Sequence, residues 1–301
     1  MAKIAVECAG KAAAPDAGEG FCPPVAHLLA RGEGWVVSDI VCRAGPHSRP
    51  FEERHACPAI AIVVAGTFQY RAGAHSELMT PGSLMLGNAG QSFECGHQHG
   101  AGDRCISFAY TPEFFARLTA DVGTRHGSAR FRAQRLPPVR MLAPLTAAAC
   151  AALDGSAEAS WEQFSIQLAA HALRLDRGLT SDSAAGQPSA IARVTRVVRM
   201  IERHFAGPHD LASLAREARL SPFHFLRVFE ELTGATPHQY LLRMRLRHAA
   251  MRLTREFTRV LDIALDSGFG DVSNFNRTFR AEFGVSPRAY RIRTRRARAA
   301  G

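Results

Sequence analysis

Residues 95–105 read Cys95-Gly96-His97-Gln98-His99-Gly100-Ala101-Gly102-Asp103-Arg104-Cys105. Two thiols and two imidazoles in so short a stretch can hold a soft or borderline metal as thiolate and neutral imidazole. The same thiols suit redox or electrophile sensing. On a strand, side chains alternate, so Cys95, His97 and His99 would share one face. A plainer alternative is a glycine-rich hairpin whose cysteines act as small hydrophobes and whose histidines face water. A third is an ordinary organic ligand lined in part by these residues. The cofactor expectation is thus a metal at Cys95, His97, His99 and Cys105, or none. His55 and Cys57 are candidates to complete such a site, whereas His27 and His47 read as surface residues.

Charge picks out a second set of residues. The chain carries 37 Lys+Arg and 27 Asp+Glu, net +10. Residues 1–188 hold 16 basic and 17 acidic residues, net −1, while residues 189–301 hold 21 arginines, no lysine and 10 acidic residues, net +11. A high-arginine composition explains Arg over Lys but not this split. A basic domain beside a neutral one is the electrostatic footprint of a polyanion binder. All seven cysteines (Cys8, Cys22, Cys42, Cys57, Cys95, Cys105 and Cys150) lie before residue 151. Their odd number and the lack of an export signal predict reduced thiols.

Length and pattern predict the elements that must position these residues. A chain of 301 residues suggests two domains. No apolar run reaches the roughly 18 residues of a membrane span. Met1 to Gly20 has no apolar core of a secretory signal, so the expected location is cytoplasmic, with no membrane partner. Residues 35–110 read as β: Trp35–Cys42, Ala59–Tyr70 with Gly66 a bend, Ser83–Leu86 and Cys105–Tyr110, separated by turn signals. Thr111-Pro112 opens a helix, and Val139–Leu153 and Trp161–Leu175 read as two more. Asp176 to Ser189 is Gly-, Ser-, Asp- and Pro-rich and reads as a linker, with helices from Ala190 onwards. No nucleophile elbow, phosphate loop or dinucleotide-binding glycine pattern is present.

The helical region repeats itself. Phe225-Leu226-Arg227-Val228-Phe229 matches Phe275-Asn276-Arg277-Thr278-Phe279 at an offset of 50. That offset also pairs Gly234 with Gly284, Thr236 with Ser286, Pro237 with Pro287 and Tyr240 with Tyr290. In the first copy, Asp210 caps a helix over Leu211–Ala218, and Ser221 with Pro222 opens the next. Phe225, Val228, Phe229 and Leu232 form one buried stripe, and Gly234 ends the helix. In the second copy Gly268 closes Val260–Ser267, Asp271 caps Val272–Phe283, and Ser286-Pro287 opens a last helix. Two short helices about a tight turn, twice over, predict tandem helix-turn-helix units rather than a plain bundle or a solenoid. The connecting helix to Leu253, roughly 17 residues and about 25 Å long, suits a strut between recognition helices.

These motifs, and above all Ile263-Ala264, Gly268-Phe269, Asp271, Ser273-x-Phe275-x-Arg277-x-Phe279 and Gly284-x-Ser286-Pro287-x-x-Tyr290-Arg291, resemble the AraC/XylS-type DNA-binding domain over residues 190–295. The resemblance implies a sequence-specific transcription regulator, often an activator, that binds double-stranded DNA and works with RNA polymerase. It also implies a frequent homodimer, with helices 139–175 as a candidate interface. Base-reading positions carried over are Phe223, Leu226 and Arg227, then Val272, Ser273, Asn276 and Arg277. Arg227 can grip guanine or pair with Glu230 or Glu231, and Asn276 can pair with adenine or merely solvate its helix. Arg288, Arg291, Arg293, Arg295 and Arg296 read as phosphate contacts or as a basic tail.

The resemblance further implies a cupin-like β-barrel sensor at the N-terminus. Thr80-Pro81-Gly82-Ser83-Leu84 resembles the Pro-Gly turn of cupins, but metal-cupin ligand spacing is missing near Gly45–His55. The expected fold class is therefore α+β. A cupin-like effector and dimerisation domain spans 1–175, a linker 176–189, a helical domain with two helix-turn-helix units 190–295, and a basic tail 296–301. The expected signal is a small molecule, a metal or a redox change, and the chain is not expected to be an enzyme. The alternative is a thiol- or metal-dependent cupin-type enzyme fused to a DNA-binding module.

Overall fold

Runs of β-branched and aromatic residues build strands throughout the N-terminal region. The computed structural model describes residues 23–50, 52–123, 129–154, 160–178 and 187–299. Its strands are β1 (Val25–Gly32), β2 (Trp35–Cys42), β3 (Glu52–Arg54), β4 (Ala59–Gly66), β5 (Phe68–Ala72), β6 (His75–Met79), β7 (Leu84–Gly87), β8 (Ser92–Gly96), β9 (Asp103–Tyr110) and β10 (Arg135–Leu136). They form two antiparallel sheets, ordered β1-β2-β9-β4-β7-β10 and β3-β8-β5-β6. The expected α+β class is present, but the barrel is not closed: both sheets are open. Gly66, at φ +76°, ends β4 just before β5 starts in the other sheet. A Cβ at Gly66 would lie 2.3 Å from the Gly102 carbonyl oxygen, so only glycine lets the chain pass this close to the start of β9.

Alternation places the two faces of the larger sheet. Ala61, Val63 and Cys105 pack with Phe68, Tyr70, Met79 and Phe93 from the smaller sheet. On the other face Ile60 pairs with Phe108 and Ile62 with Ile106. Helix α1 (Pro112–Asp121) is capped by Thr111, with Phe115 buried. Helix α3 (Trp161–Gly178) covers this face as well: Phe108 stacks on Phe164 at 5.4 Å, and the Tyr110 hydroxyl donates to the Ser165 carbonyl at 3.0 Å. The Thr80–Ser83 turn closes through the Ser83 hydroxyl, which donates to the Thr80 carbonyl at 2.7 Å.

The remaining helices are α2 (Ala143–Leu153), α4 (Pro188–His204), α5 (Leu211–Ala218), α6 (Pro222–Thr233), α7 (Pro237–Arg255), α8 (Val260–Asp266), α9 (Val272–Phe283) and α10 (Pro287–Ala299). The chain divides into two compact units, Met1–Pro137 with Ser160–Thr195 and Pro138–Ala159 with Arg196–Gly301. This departs from the expected boundary at residue 175. Ala147 of α2 is buried in one core with Leu246, Ala250, Leu253, Ile263, Phe275 and Phe279. Arg243 of α7 donates to the Pro138 carbonyl at 2.6 Å, and Arg255 pairs with Asp154. The segment read as one pair of dimerising helices is therefore split, α2 serving the second unit and α3 the first. Most of the expected linker, residues 179–186, lies outside the described residues. The expected tail is helical as far as Ala299.

Candidate nucleic-acid interface

Asp210 accepts from the Ser213 amide at 2.6 Å, and the Ser213 hydroxyl closes the reciprocal cap on α5. The helix stops at Arg219, whose φ of +54° is the single positive value outside glycine among the described residues. Ser221 then caps α6 with Pro222 in its first turn, and Gly234 closes it in the left-handed conformation. Phe225, Val228, Phe229 and Leu232 are buried. The opposite face carries exposed His224 and Arg227 and an 82% exposed Phe223. A phenylalanine this exposed gains nothing from the fold, which leaves it available to a partner. Leu226 is half-buried. Among the described residues Arg227 forms no ion pair, so pairing with Glu230 or Glu231 is not seen.

The second unit repeats this build with glycine at the turn. Gly268 has φ +86°, and a Cβ there would lie 2.7 Å from the Ala206 carbonyl oxygen and 2.9 Å from Arg245 Nε. Asp271 accepts from the Asn274 amide at 2.7 Å to cap α9, and Gly284 closes it. Phe275 and Phe279 are fully buried, whereas Ser273, Asn276, Arg277 and Arg280 are exposed. Asn276, Arg277, Arg280 and Arg288 line an open cleft with Val260, Val272 and Ser286. Four expected residues (Val272, Asn276, Arg277 and Arg288) thus come together. Arg280, Val260 and Ser286 were missed; Arg280 lies one turn on from Asn276, a spacing that could have found it. Arg277 is lightly held, donating to Asn274 Oδ1 at 3.2 Å.

Other arginines serve the fold. Arg245 donates to the Phe205 and Gly207 carbonyls, both at 2.8 Å, tying α7 to the segment between α4 and α5. Arg252 grips Glu256 at 2.8 and 2.9 Å and reaches Asp266 at 2.9 Å. Arg291 donates to the Thr258 carbonyl at 2.7 Å and is half-buried. Arg295 donates to the Glu256 carbonyl at 2.6 Å and lies 3.9 Å over the Phe257 ring. Arg291 and Arg295 are thus engaged by the fold, whereas Arg288, Arg293 and Arg296 are exposed. His248 stacks on Phe205 at 3.9 Å, and burial, aided by the Arg247 charge, pushes its pKa down to about 4.

In the first unit the structure does not gather Cys95, His97, His99 and Cys105 on one strand face. β8 ends at Gly96, so His97 and His99 fall in a turn and lose the strand alternation. His97 is buried and its Nε2 lies 2.5 Å from Asp103 Oδ2. Cys105 Sγ donates to Asp103 Oδ1 at 3.6 Å. Burial alone would lower the His97 pKa; hydrogen bonds to Asp103 and Cys42, with their charges, outweigh it and raise it to about 9. His99 Nε2 is buried with no partner among the described residues. Burial pushes the Cys95 and Cys105 thiols up, which does not favour reactive thiolates. Cys57 is disulfide-bonded, contrary to the expectation of reduced thiols throughout. His55 instead stacks on Phe93 at 4.1 Å, with Nε2 2.9 Å from the Tyr70 hydroxyl, and burial lowers its pKa to about 4.

The second unit thus holds two helix-turn-helix units; the second helix of each pair has an exposed face, which carries Arg227 beside Glu230 and Glu231 on α6 and is basic, with Arg277 and Arg280, on α9. Residues 214–293 match the family model of a helix-turn-helix domain. The region is 38% identical over 85 residues to the HTH-type transcriptional regulator Rv1931c of Mycobacterium tuberculosis, covering 28% of this chain and 33% of the relative. It is 39% identical over 100 residues to the HTH-type transcriptional activator RhaS of Citrobacter koseri, covering 33% and 36%. The chain spans about a third of the length of these relatives. A crystal structure of the DNA-binding domain of AdpA in complex with a target DNA is 33% identical, covers 36% of this chain and 98% of that one, and has a TM-score of 0.35. Over this region the chain is similar to helix-turn-helix transcription regulators. These relatives are transcriptional regulators by name and give no support to the enzyme alternative. Among the described residues no helix is long and apolar enough to cross a membrane.

Proposed function

We propose that the chain is a DNA-binding transcription regulator that reads double-stranded DNA through α6 and α9. The observation carrying this reading is the α9 cleft, where Asn276, Arg277 and Arg280 of α9, a helix whose other face is buried, meet Arg288 of α10. Asn and Arg are the side chains that read adenine and guanine bidentately in the major groove, and Arg288 suits a phosphate. On α6, Arg227 takes the matching role and exposed Phe223 suits a thymine methyl. Half-buried Leu226 packs rather than reads, Val272 lines the α9 cleft, and Ser273 is exposed beside it at the helix start. Arg291, held by the Thr258 carbonyl, presents the loop before α8 more than its own charge. At 19 residues and 1.5 Å per residue, α7 is about 28 Å long, near the spacing of successive major-groove segments.

The first unit takes the part of signal sensor, its two packed sheets standing in for the cupin-like barrel of the resemblance. Activation through RNA polymerase, a homodimer and a cytoplasmic location complete the reading. Selection from a random duplex pool with the full chain tests it. Recurring enrichment of one sequence, with affinity falling steeply with salt, is expected. Equal binding to every duplex, or none, would overturn it.

A further inference from the structure

Cys42, at the end of β2, stands directly opposite Asp103, at the start of β9, in the antiparallel ladder. His97, in the turn after β8, completes a triangle with them. Cys42 Sγ, a His97 ring nitrogen and an Asp103 carboxylate oxygen all lie within 4.8 Å of one another. The His97 and Asp103 side chains are 3% and 7% exposed. The surrounding backbone is fixed: Gly102 donates to the Ala44 carbonyl at 2.8 Å, and Gly66 lets β4 pass against Gly102 and Asp103.

We infer that Cys42, His97 and Asp103 form a binding site for one divalent transition metal of the zinc class. One thiolate, one imidazole and one carboxylate are a borderline donor set that suits zinc or cobalt and disfavours calcium or magnesium. Tetrahedral metal–ligand bonds of about 2.0–2.3 Å place ligand atoms roughly 3.4 Å apart. The His97–Asp103 contact of 2.5 Å must therefore open by about 1 Å. Cys105, bonded to the other Asp103 oxygen at 3.6 Å, acts as a positioning residue that orients the carboxylate. Three protein ligands leave a fourth position for water or an exogenous ligand. Loading takes up the metal ion and releases the Cys42 thiol proton and any proton on His97. This inference stands apart from the DNA-binding reading, and its test reads metal alone.

The test is titration of the chelator-stripped full chain with cobalt(II) under argon, with no reductant so that the Cys57 disulfide stays intact and Cys42 is a free thiol, followed by absorption. One equivalent per chain, with tetrahedral d–d bands, a sulfur-to-cobalt charge-transfer band and displacement by zinc, is expected. Cys42→Ser should abolish the charge-transfer band. Asp103→Asn and His97→Gln should weaken binding by at least the roughly 10–100-fold that accompanies loss of an outer-shell partner. His99→Ala should bind like the parent, and circular dichroism identifies any variant that fails to fold. Absence of the charge-transfer band in the parent overturns the site. So does its survival in folded Cys42→Ser or unchanged affinity in folded Asp103→Asn.

Discussion

Gly268 and Gly284 share a left-handed backbone but differ in their surroundings, and this makes their alanine variants a matched pair. Gly284, at φ +75°, has nothing within 4 Å of where a Cβ would stand. Its alanine variant bears only the backbone cost of about 1–2 kcal/mol. Gly268, at φ +86°, bears that cost and an overlap as well: the new carbon would sit 2.7 Å from the Ala206 carbonyl oxygen and 2.9 Å from Ala206 Cα. Both neighbours are backbone, and the nearby Arg245 that could swing aside is pinned to the Phe205 and Gly207 carbonyls. Overpacking of this kind typically adds about 1–3 kcal/mol. Gly268→Ala should therefore destabilise the second unit by about 2–5 kcal/mol, which is about 1–3 kcal/mol more than Gly284→Ala. Urea unfolding followed by circular dichroism reads both as midpoint shifts. Equal losses in the two variants would refute the claim that Gly268 is required by close approach as well as by its φ.

Arg288→Ala should leave the melting temperature within about 1 °C, lower affinity alike for all duplexes and reduce the salt slope by about one, whereas Arg291→Ala should lower the melting temperature by breaking its bond to Thr258. Calorimetry and salt titrations on both variants separate the two roles. The His248 pKa is about 4 in the fold against an ordinary 6.5. Between those values the unfolded chain binds a proton that the folded chain does not, so stability is lost as pH falls from about 6.5 to 4. The ceiling on that loss is about 3 kcal/mol. His248→Phe, which keeps the stack on Phe205, should flatten this part of the melting-versus-pH curve, and an unchanged curve would contradict the assignment.

The second unit was largely legible because its rules are local. Caps at Asp210, Ser221 and Asp271, prolines at helix starts and left-handed glycines all act within a few residues, and the duplicated Phe-x-Arg-x-Phe stripe points one face inward. Arg219 escaped because a left-handed arginine carries no sequence signal. The pairing of α2 with α7 was hidden for another reason: its run of alanines shows no helical periodicity, and its partners lie about a hundred residues further on. The approach of Cys42 to His97 is hidden for the same reason: β8 ends at Gly96, just before His97, and Cys42 joins His97 only through the register that sets it opposite Asp103. Charge overstated the number of available cations, since Arg245, Arg252, Arg291 and Arg295 are held by carbonyls and carboxylates of the fold.

The central claim is that α6 and α9 each read bases. Binding-site selection with the parent, Arg227→Ala and Arg277→Ala tests it most directly. Each variant should lose about 1–3 kcal/mol on the parent's preferred duplex and become indifferent to one base pair. The two relaxed positions should lie in different segments about one helical turn, roughly 10 base pairs, apart. Variants that select the parent's sequence with undiminished preference at every position would contradict the account.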